Sequence, residues 1–371
     1  MIRVLHILTD SNVGGAGRYL INYLQYRDRD RFQVSVILPR GSALAEPVRA
    51  LGVPVTEVDG IAERSLSLRA TGSLKRAIRA EKPDLVHTHG SFSGRIAAKQ
   101  CGVPVIYTRH SAFPAPGWMK RGAGRWLYGA LDRHYADHVI AVSPATVENL
   151  LERGVDRDRI TMMMNGAPAL TPLSPEEKRD LRARLGIPEG VFTAGILARL
   201  EPYKGHMLLL EAAETLRTEG RDFRFLIAGA GSQAETVKAE IQRRKLEDRV
   251  LFLGFLPEVA PVLDLLDVQL NCSYGTEASS VALIEGMSLG KPTVASDYGG
   301  NPWQVEDGVT GLLFESRNSA DLAEKLRRLM DSPALREHLG RQARAAYKRK
   351  YTGEIFAGNI EAVYQTVMKE I

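Results

Sequence analysis

Asn165-Gly166-Ala167-Pro168-Ala169-Leu170-Thr171-Pro172 divides the chain. The stretch is rich in turn formers and lacks apolar periodicity, so it reads as a connector. On its C-terminal side Ser174-Pro175-Glu176-Glu177 opens a helix, with Ser as N-cap, Pro at the first helical position and Glu three residues after the cap. On its N-terminal side short β-branched runs at residues 2–8, 32–38, 53–58, 85–88, 103–108, 139–142 and 160–163 alternate with amphipathic stretches such as 68–80 and 94–100. A second series follows the connector, at 192–198, 223–228, 250–253, 268–271 and 292–295. Strand, helix, strand at this pitch means βαβ units and parallel sheets. The expected fold is therefore α/β, with two Rossmann-like domains covering residues 1–168 and 172–354. From about Ala343 the chain reads as helix with a break near Tyr351-Thr352-Gly353. The final helix, 355–371, carries Ile355, Phe356, Ile360, Val363 and Val367 at helical spacing, a face that could pack on either domain.

At 371 residues, 44% hydrophobic and 25% charged, the chain can bury two cores, and disorder and coiled coil are excluded. Cys101 and Cys272 lie far apart without metal-ligand spacing, which fits a reducing compartment and two small buried hydrophobes. Met1-Ile2-Arg3-Val4-Leu5-His6-Ile7-Leu8 is too short an apolar run for a signal peptide and reads as the first strand. No stretch is long enough to span a bilayer, so a cytoplasmic protein is expected. Residues 1–170 hold 23 Lys and Arg against 15 Asp and Glu, and the remainder 26 against 29. The basic N-terminal half suits a phosphate-bearing substrate, anionic lipid headgroups or nucleic acid, or is a solvated surface without a partner.

Four loops after strands carry the chemistry. Gly14-Gly15-Ala16-Gly17-Arg18 precedes a helix, where glycines let backbone N–H groups approach a phosphate or sugar, although a tight turn explains them too. It lacks the third Gly of the dinucleotide fingerprint. In Arg199-Leu200-Glu201-Pro202-Tyr203-Lys204-Gly205-His206 two cations sit five apart, a fork and a point charge suited to a diphosphate leaving group. Ala228-Gly229-Ala230-Gly231-Ser232 is either nucleotide-proximal or a plain βα turn. Thr276-Glu277-Ala278-Ser279-Ser280-Val281-Ala282-Leu283-Ile284-Glu285-Gly286 places two carboxylates eight apart across a loop-to-helix boundary, with Ser279 or Ser280 as N-cap. Glu285 inside the helix suits ribose hydroxyls, and Glu277 on the loop suits developing positive charge at a sugar carbon.

These motifs, with Gly299-Gly300-Asn301-Pro302, resemble the retaining GT-B-fold glycosyltransferases of the glycosyl transferase group 1 (glycogen-synthase-like) family, nearly end to end. The resemblance implies two domains facing a central cleft and a C-terminal helix crossing back to the first. Residues 1–168 would then bind the acceptor and 172–354 the nucleotide-sugar donor. It assigns Arg199, Lys204 and Gly15 to the donor diphosphate, and Glu285, Gly229 and Gly231 to the nucleotide and ribose. Glu277 and His110 go to the reacting centre, Ser279 and Ser280 to the donor-sugar loop, and Gly14, His89 and Arg109 to the acceptor side. The family commonly has an aromatic and a Gly at the Ser279 and Ser280 positions, a departure that weakens any transfer of donor identity. Whether Glu277 attacks as a nucleophile or only stabilises an oxocarbenium-like state is open at this stage, with stabilisation preferred.

The expected donor is a UDP- or GDP-sugar acting as co-substrate, with no other cofactor and no metal. Asp28-Arg29-Asp30 and Asp156-Arg157-Asp158 read as surface charge pairs, and His87-Thr88-His89 points both rings to one side of a strand, in a cleft or core, with metal ligation the lesser alternative. The acceptor is expected to be a sugar or lipid-linked sugar. Residues 113–128 mix aromatics with cations, which suits a membrane surface, an acceptor-binding loop, or a helix with core aromatics. Peripheral contact of the N-terminal domain with the inner face of the membrane follows from the first of these. An epimerase, a non-catalytic binder, a nicotinamide dehydrogenase and a nucleic-acid binder are weaker alternatives, the last lacking a recognition motif. A pyridoxal-dependent phosphorylase would need a longer chain and a cofactor lysine.

Overall fold

The computed structural model describes residues 1–62 and 65–370. The chain forms two compact units: unit 1 is Met1–Ala167 with Gly353–Ile371, and unit 2 is Pro168–Thr352.

Among the described residues unit 1 holds seven parallel strands: β1 (Ile2–Leu8), β2 (Phe32–Pro39), β3 (Val55–Val58), β4 (Leu85–His89), β5 (Val105–Arg109), β6 (His138–Ala141) and β7 (Ile160–Met162). Their order is β3-β2-β1-β4-β5-β6-β7. Helices cover the faces, so β1 reads as a nearly continuous apolar run with Val4, Leu5, Ile7 and Leu8 buried. The exception is His6, also buried, which lies opposite His87 in the β1–β4 register.

The last helix, Gly353–Glu370, belongs to unit 1 and packs on the helix Gly15–Tyr26. Phe356 meets Tyr19 edge-on at 4.8 Å between ring centroids, and Glu361 accepts the Asp28 N–H at 2.8 Å. Gly353 allows this approach, because a Cβ there would overlap the Tyr26 ring. Residue 371 of the expected helix lies outside the described residues. The break before it falls at Tyr351, after the helix Pro333–Lys350.

Unit 2 holds β8 (Phe192–Leu197), β9 (Phe223–Ala228), β10 (Val250–Gly254), β11 (Val268–Asn271), β12 (Thr293–Ser296) and β13 (Gly311–Phe314), in the order β10-β9-β8-β11-β12-β13. The expected capping box is present: Glu177 N–H donates to Ser174 Oγ and Ser174 N–H to Glu177 Oε2. The edge strand β13 was absent from the sequence expectation. Four residues without alternation carry too little signal to separate a strand from a turn.

In both sheets the strand order reverses once, between β1 and β4 and between β8 and β11. Loops at the carboxyl ends of these strands open at a topological switch point, where such sheets bind ligands. Among the described residues no helix is long and apolar enough to cross a membrane.

Candidate active site

In unit 2 the loops after β8 and β11 are stitched together. The Tyr274 N–H donates to the Tyr203 carbonyl at 2.9 Å. Gly205, at φ +74°, lies so near the Cys272 carbonyl that a Cβ would overlap it. Lys204 is thereby delivered to Glu277, with Nζ 2.7 Å from Oε2. The same Oε2 accepts from Ser273 Oγ at 2.8 Å and Asn271 Nδ2 at 3.1 Å. Oε1 has no hydrogen-bond donor among the described residues. Burial raises the Glu277 pKa, but the Lys204 charge and the bonds from Lys204, Asn271 and Ser273 outweigh it and hold the carboxyl below its ordinary range. The group is an ionised carboxylate, 6% exposed, with one oxygen fixed by protein.

The backbone around Glu277 is tightly constrained. Thr276 has φ +55°, uncommon for a β-branched residue. Gly299 and Gly300 press against the loop so closely that Cβ atoms would overlap the carbonyl oxygens of Glu277 and Ala278, and the Gly300 N–H donates to Glu277 O at 3.1 Å. Ser280 caps the helix Val281–Ser288, accepting from Leu283 N, and Gln304 brackets Ser280 through its N–H and carbonyl at 2.7 and 3.1 Å. Glu285 is buried on that helix.

Arg199 is exposed, and its Nη2 donates to Tyr203 Oη at 2.8 Å. His206 is buried next in line, its pKa pushed down to about 4 by burial and by the Lys204 charge, so it is neutral at pH 7. Gly229 and Gly231 have φ of +149° and +158° and bring their turn against the carbonyls of Ala198 and Leu200, where a Cβ would overlap. Their visible work is to hold the Arg199 loop, a packing role where nucleotide proximity was one of two expectations.

In unit 1, His89 ends β4 and His110 follows β5. His89 is buried and His110 half-buried, with His89 Nδ1 2.8 Å from His110 Nε2. Burial, helped by Arg109, pushes the His110 pKa down to about 3, so the ring is neutral. Arg109, expected on the acceptor side, is half-buried and donates from Nη2 to Asn149 Oδ1 at 3.0 Å. The Gly14 to Gly17 segment divides by function. A Cβ at Gly17 would overlap Leu44, whereas one at Gly15 would meet nothing within 4 Å. Gly14 is an N-cap without a side-chain bond, so the first N–H groups of the helix have no side-chain acceptor from the cap.

Residues 177–346 match the family described as Glycosyl transferases group 1, and residues 13–169 match Glycosyltransferase Family 4. A D-inositol 3-phosphate glycosyltransferase from an Arthrobacter species is 31% identical over 292 residues, 72% of this chain and 68% of that one. The chain belongs to the group 1 glycosyltransferases. A UDP-Gal:alpha-D-GlcNAc-diphosphoundecaprenol alpha-1,3-galactosyltransferase from Escherichia coli is 27% identical over 90% of this chain and 89% of its own. Among solved structures, HepE of Anabaena in complex with UDP-glucose superposes with TM-score 0.86 at 23% identity, covering 99% and 100% of the two chains, a likeness of GT-B fold.

In this glycosyltransferase the unit 2 loops bring Lys204 and Glu277 into direct contact, while the Arg199 side chain donates to Tyr203. Sequence reasoning missed Asn271, Ser273 and the bracing by Gly299 and Gly300. Asn271 was visible as the polar end of an apolar strand, and Gly299-Gly300 as a repeated glycine, but neither named its partner. In unit 1 it missed His6, whose Nδ1 lies 3.0 Å from His89 Nε2, and Tyr364, whose Oη lies 3.1 Å from His6 Nε2. The 113–128 segment also resolves: Tyr128 packs on the core beside Tyr107 and Leu150, but Trp118 is 60% and Trp126 69% exposed. The core-aromatic reading therefore fails for both tryptophans.

Proposed function

We propose that this glycosyltransferase moves a sugar from a UDP- or GDP-linked donor to an acceptor hydroxyl with retention of anomeric configuration. The observation that carries the reading is the Glu277 carboxylate, buried and ionised, with Lys204 on one oxygen and the other left for substrate. Lys204 has three donors and gives one to Glu277, so two remain for the diphosphate, with Arg199 adding a fork. As the bond to the leaving diphosphate breaks, these cations stabilise the departing charge, and Glu277 stabilises the oxocarbenium-like carbon. Glu285 binds the ribose, Gly15 lets backbone N–H groups near the phosphate, and His110 contacts the transferred sugar. No metal and no further cofactor takes part.

Unit 1 takes the acceptor, a sugar or lipid-linked sugar of the cell envelope. The relatives' names support that class, since one acts on a diphosphoundecaprenol-linked sugar. Exposed Phe113, Trp118, Trp126 and Leu127 beside Arg121 and Arg125 suit peripheral contact with an anionic membrane at its cytoplasmic face.

Calorimetric titration with UDP, GDP and ADP tests the donor site. One nucleotide is expected to bind, about 10- to 100-fold more weakly to Arg199→Ala and to Glu285→Ala, the loss of a charged hydrogen bond. Parent-like binding by both variants would remove the assignment. The anomeric configuration of the first-formed product, read by NMR, tests retention.

A further inference from the structure

Unit 1 contains a single-file hydrogen-bonded chain. His87 Nε2 lies 2.7 Å from Thr108 Oγ1, and His87 Nδ1 lies 2.7 Å from Tyr364 Oη. Tyr364 Oη reaches His6 Nε2 at 3.1 Å, His6 Nδ1 reaches His89 Nε2 at 3.0 Å, and His89 Nδ1 reaches His110 Nε2 at 2.8 Å. Every member but His110 is essentially inaccessible to solvent. A neutral imidazole has one N–H and one bare nitrogen, and a hydroxyl has one proton, so an N–H placed at His87 Nε2 fixes each later link.

The far end makes that choice. With the Thr108 hydroxyl proton turned to Tyr19 Oη, 3.3 Å away, Thr108 accepts from His87 Nε2–H. Tyr364 then donates to His87 Nδ1, His6 Nε2–H to Tyr364, His89 Nε2–H to His6, and His110 Nε2–H to His89. We propose that this chain sets the tautomer of His110, with Tyr364, His6, His87 and His89 as positioning residues, so that a bare Nδ1 accepts a hydrogen bond from a substrate hydroxyl. The use of that acceptor rests on His110 contacting the transferred sugar, as proposed above. Each ring stays neutral when the polarity reverses: one proton shifts across each hydrogen bond, His110 Nδ1 takes one up from solvent, and the Thr108 end releases one. His6, His87 and His89 also offer ring nitrogens within 4.8 Å of one another, a spacing open to a metal ion. All six of those nitrogens are engaged in the chain, so hydrogen bonding already accounts for their burial.

Nitrogen-15 NMR of the full chain labelled at histidine reads the tautomers directly, with His110 assigned through His110→Gln. The parent is expected to show His110 as Nε2–H. Tyr364→Phe keeps the ring and removes the oxygen, so His6 Nε2–H loses its acceptor. Turning His6 over to Nδ1–H repairs this and forces His89 and then His110 to follow, because a buried orphan N–H is costly. His110 should therefore become Nδ1–H, with kcat/KM lowered about tenfold by the lost acceptor. Thr108→Val cuts the other end and predicts the same switch, should Tyr364→Phe fail to fold. An unchanged His110 tautomer in both variants overturns the proposal, as does Nδ1–H in the parent, or a stoichiometric metal ion lost in His6→Ala. A switched tautomer with full turnover in His110→Ala supports the chain and removes only the catalytic role of His110.

Discussion

Lys204 Nζ and Glu277 Oε2 are 2.7 Å apart, and both are largely withdrawn from solvent. A pair this buried is held by geometry more than by net attraction, since desolvation offsets much of the Coulomb gain. Here Asn271 and Ser273 complete the shell on Oε2 and leave Oε1 without a donor among the described residues.

Glu277→Gln keeps the shape and removes the charge. Turnover is expected to fall about 100-fold, the scale of removing one preorganised electrostatic group, while nucleotide affinity stays close to the parent. Steady-state kinetics with calorimetry on the same variant check this. Equal losses in both would place Glu277 in ground-state binding.

Much of this was legible in the chain because a parallel sheet buried on both faces leaves unmistakable apolar runs, and each site loop follows one. The Arg199 to His206 and Thr276 to Gly286 stretches carried their residue types openly. What could not be read was pairing across distance. His6 looks like a polar interruption of β1 until the register sets it beside His87 and the last helix brings Tyr364 to both. Gly229 and Gly231 read equally as nucleotide-proximal or as a plain turn, and the backbone each lies against, Ala198 and Leu200, comes well before it in the chain. Arg109 has the right type and place for an acceptor contact, and its bond to Asn149, 40 residues on, had no signal in the sequence.

Two glycines separate fold from site. Gly300→Ala would drive a Cβ into the Ala278 carbonyl and displace the Glu277 loop, so thermal stability should fall by several degrees together with activity. Gly15→Ala meets nothing within 4 Å and should melt like the parent, with weaker phosphate or acceptor binding. Thermal melts beside kinetics distinguish the two, and a destabilised Gly15→Ala would remove that residue from the site.

Exposed Trp118 and Trp126 would insert at a membrane interface beside Arg121 and Arg125. Vesicles rich in anionic lipid should retain the parent, and Trp118→Ala with Trp126→Ala should release most of it. Retention should also weaken in high salt, because the basic contribution is screened. Equal retention by neutral vesicles would exclude the electrostatic part.

Acid should loosen unit 1 first. Burial pushes His6 down to about 3 and holds His87 and His89 well below the ordinary histidine range, so all three are neutral in the fold. Their folded pKa lies below the unfolded value near 6.5, so the unfolded chain binds more protons at any lower pH. Stability is therefore fully present above about pH 6.5 and is lost as pH falls toward the folded value. For His6 alone the loss reaches about 2 kcal/mol by pH 5. Glu277 acts in the same direction, but a depressed carboxylate keeps its full contribution above its unfolded pKa and loses it only below, so it adds little slope above pH 5. Hydrogen exchange at pH 7.5, 6 and 5 should show protection of β1 and β4 falling steadily, and His6→Phe should flatten that slope. A parent slope that is flat between pH 7.5 and 5 would mean that the histidine chain charges without opening.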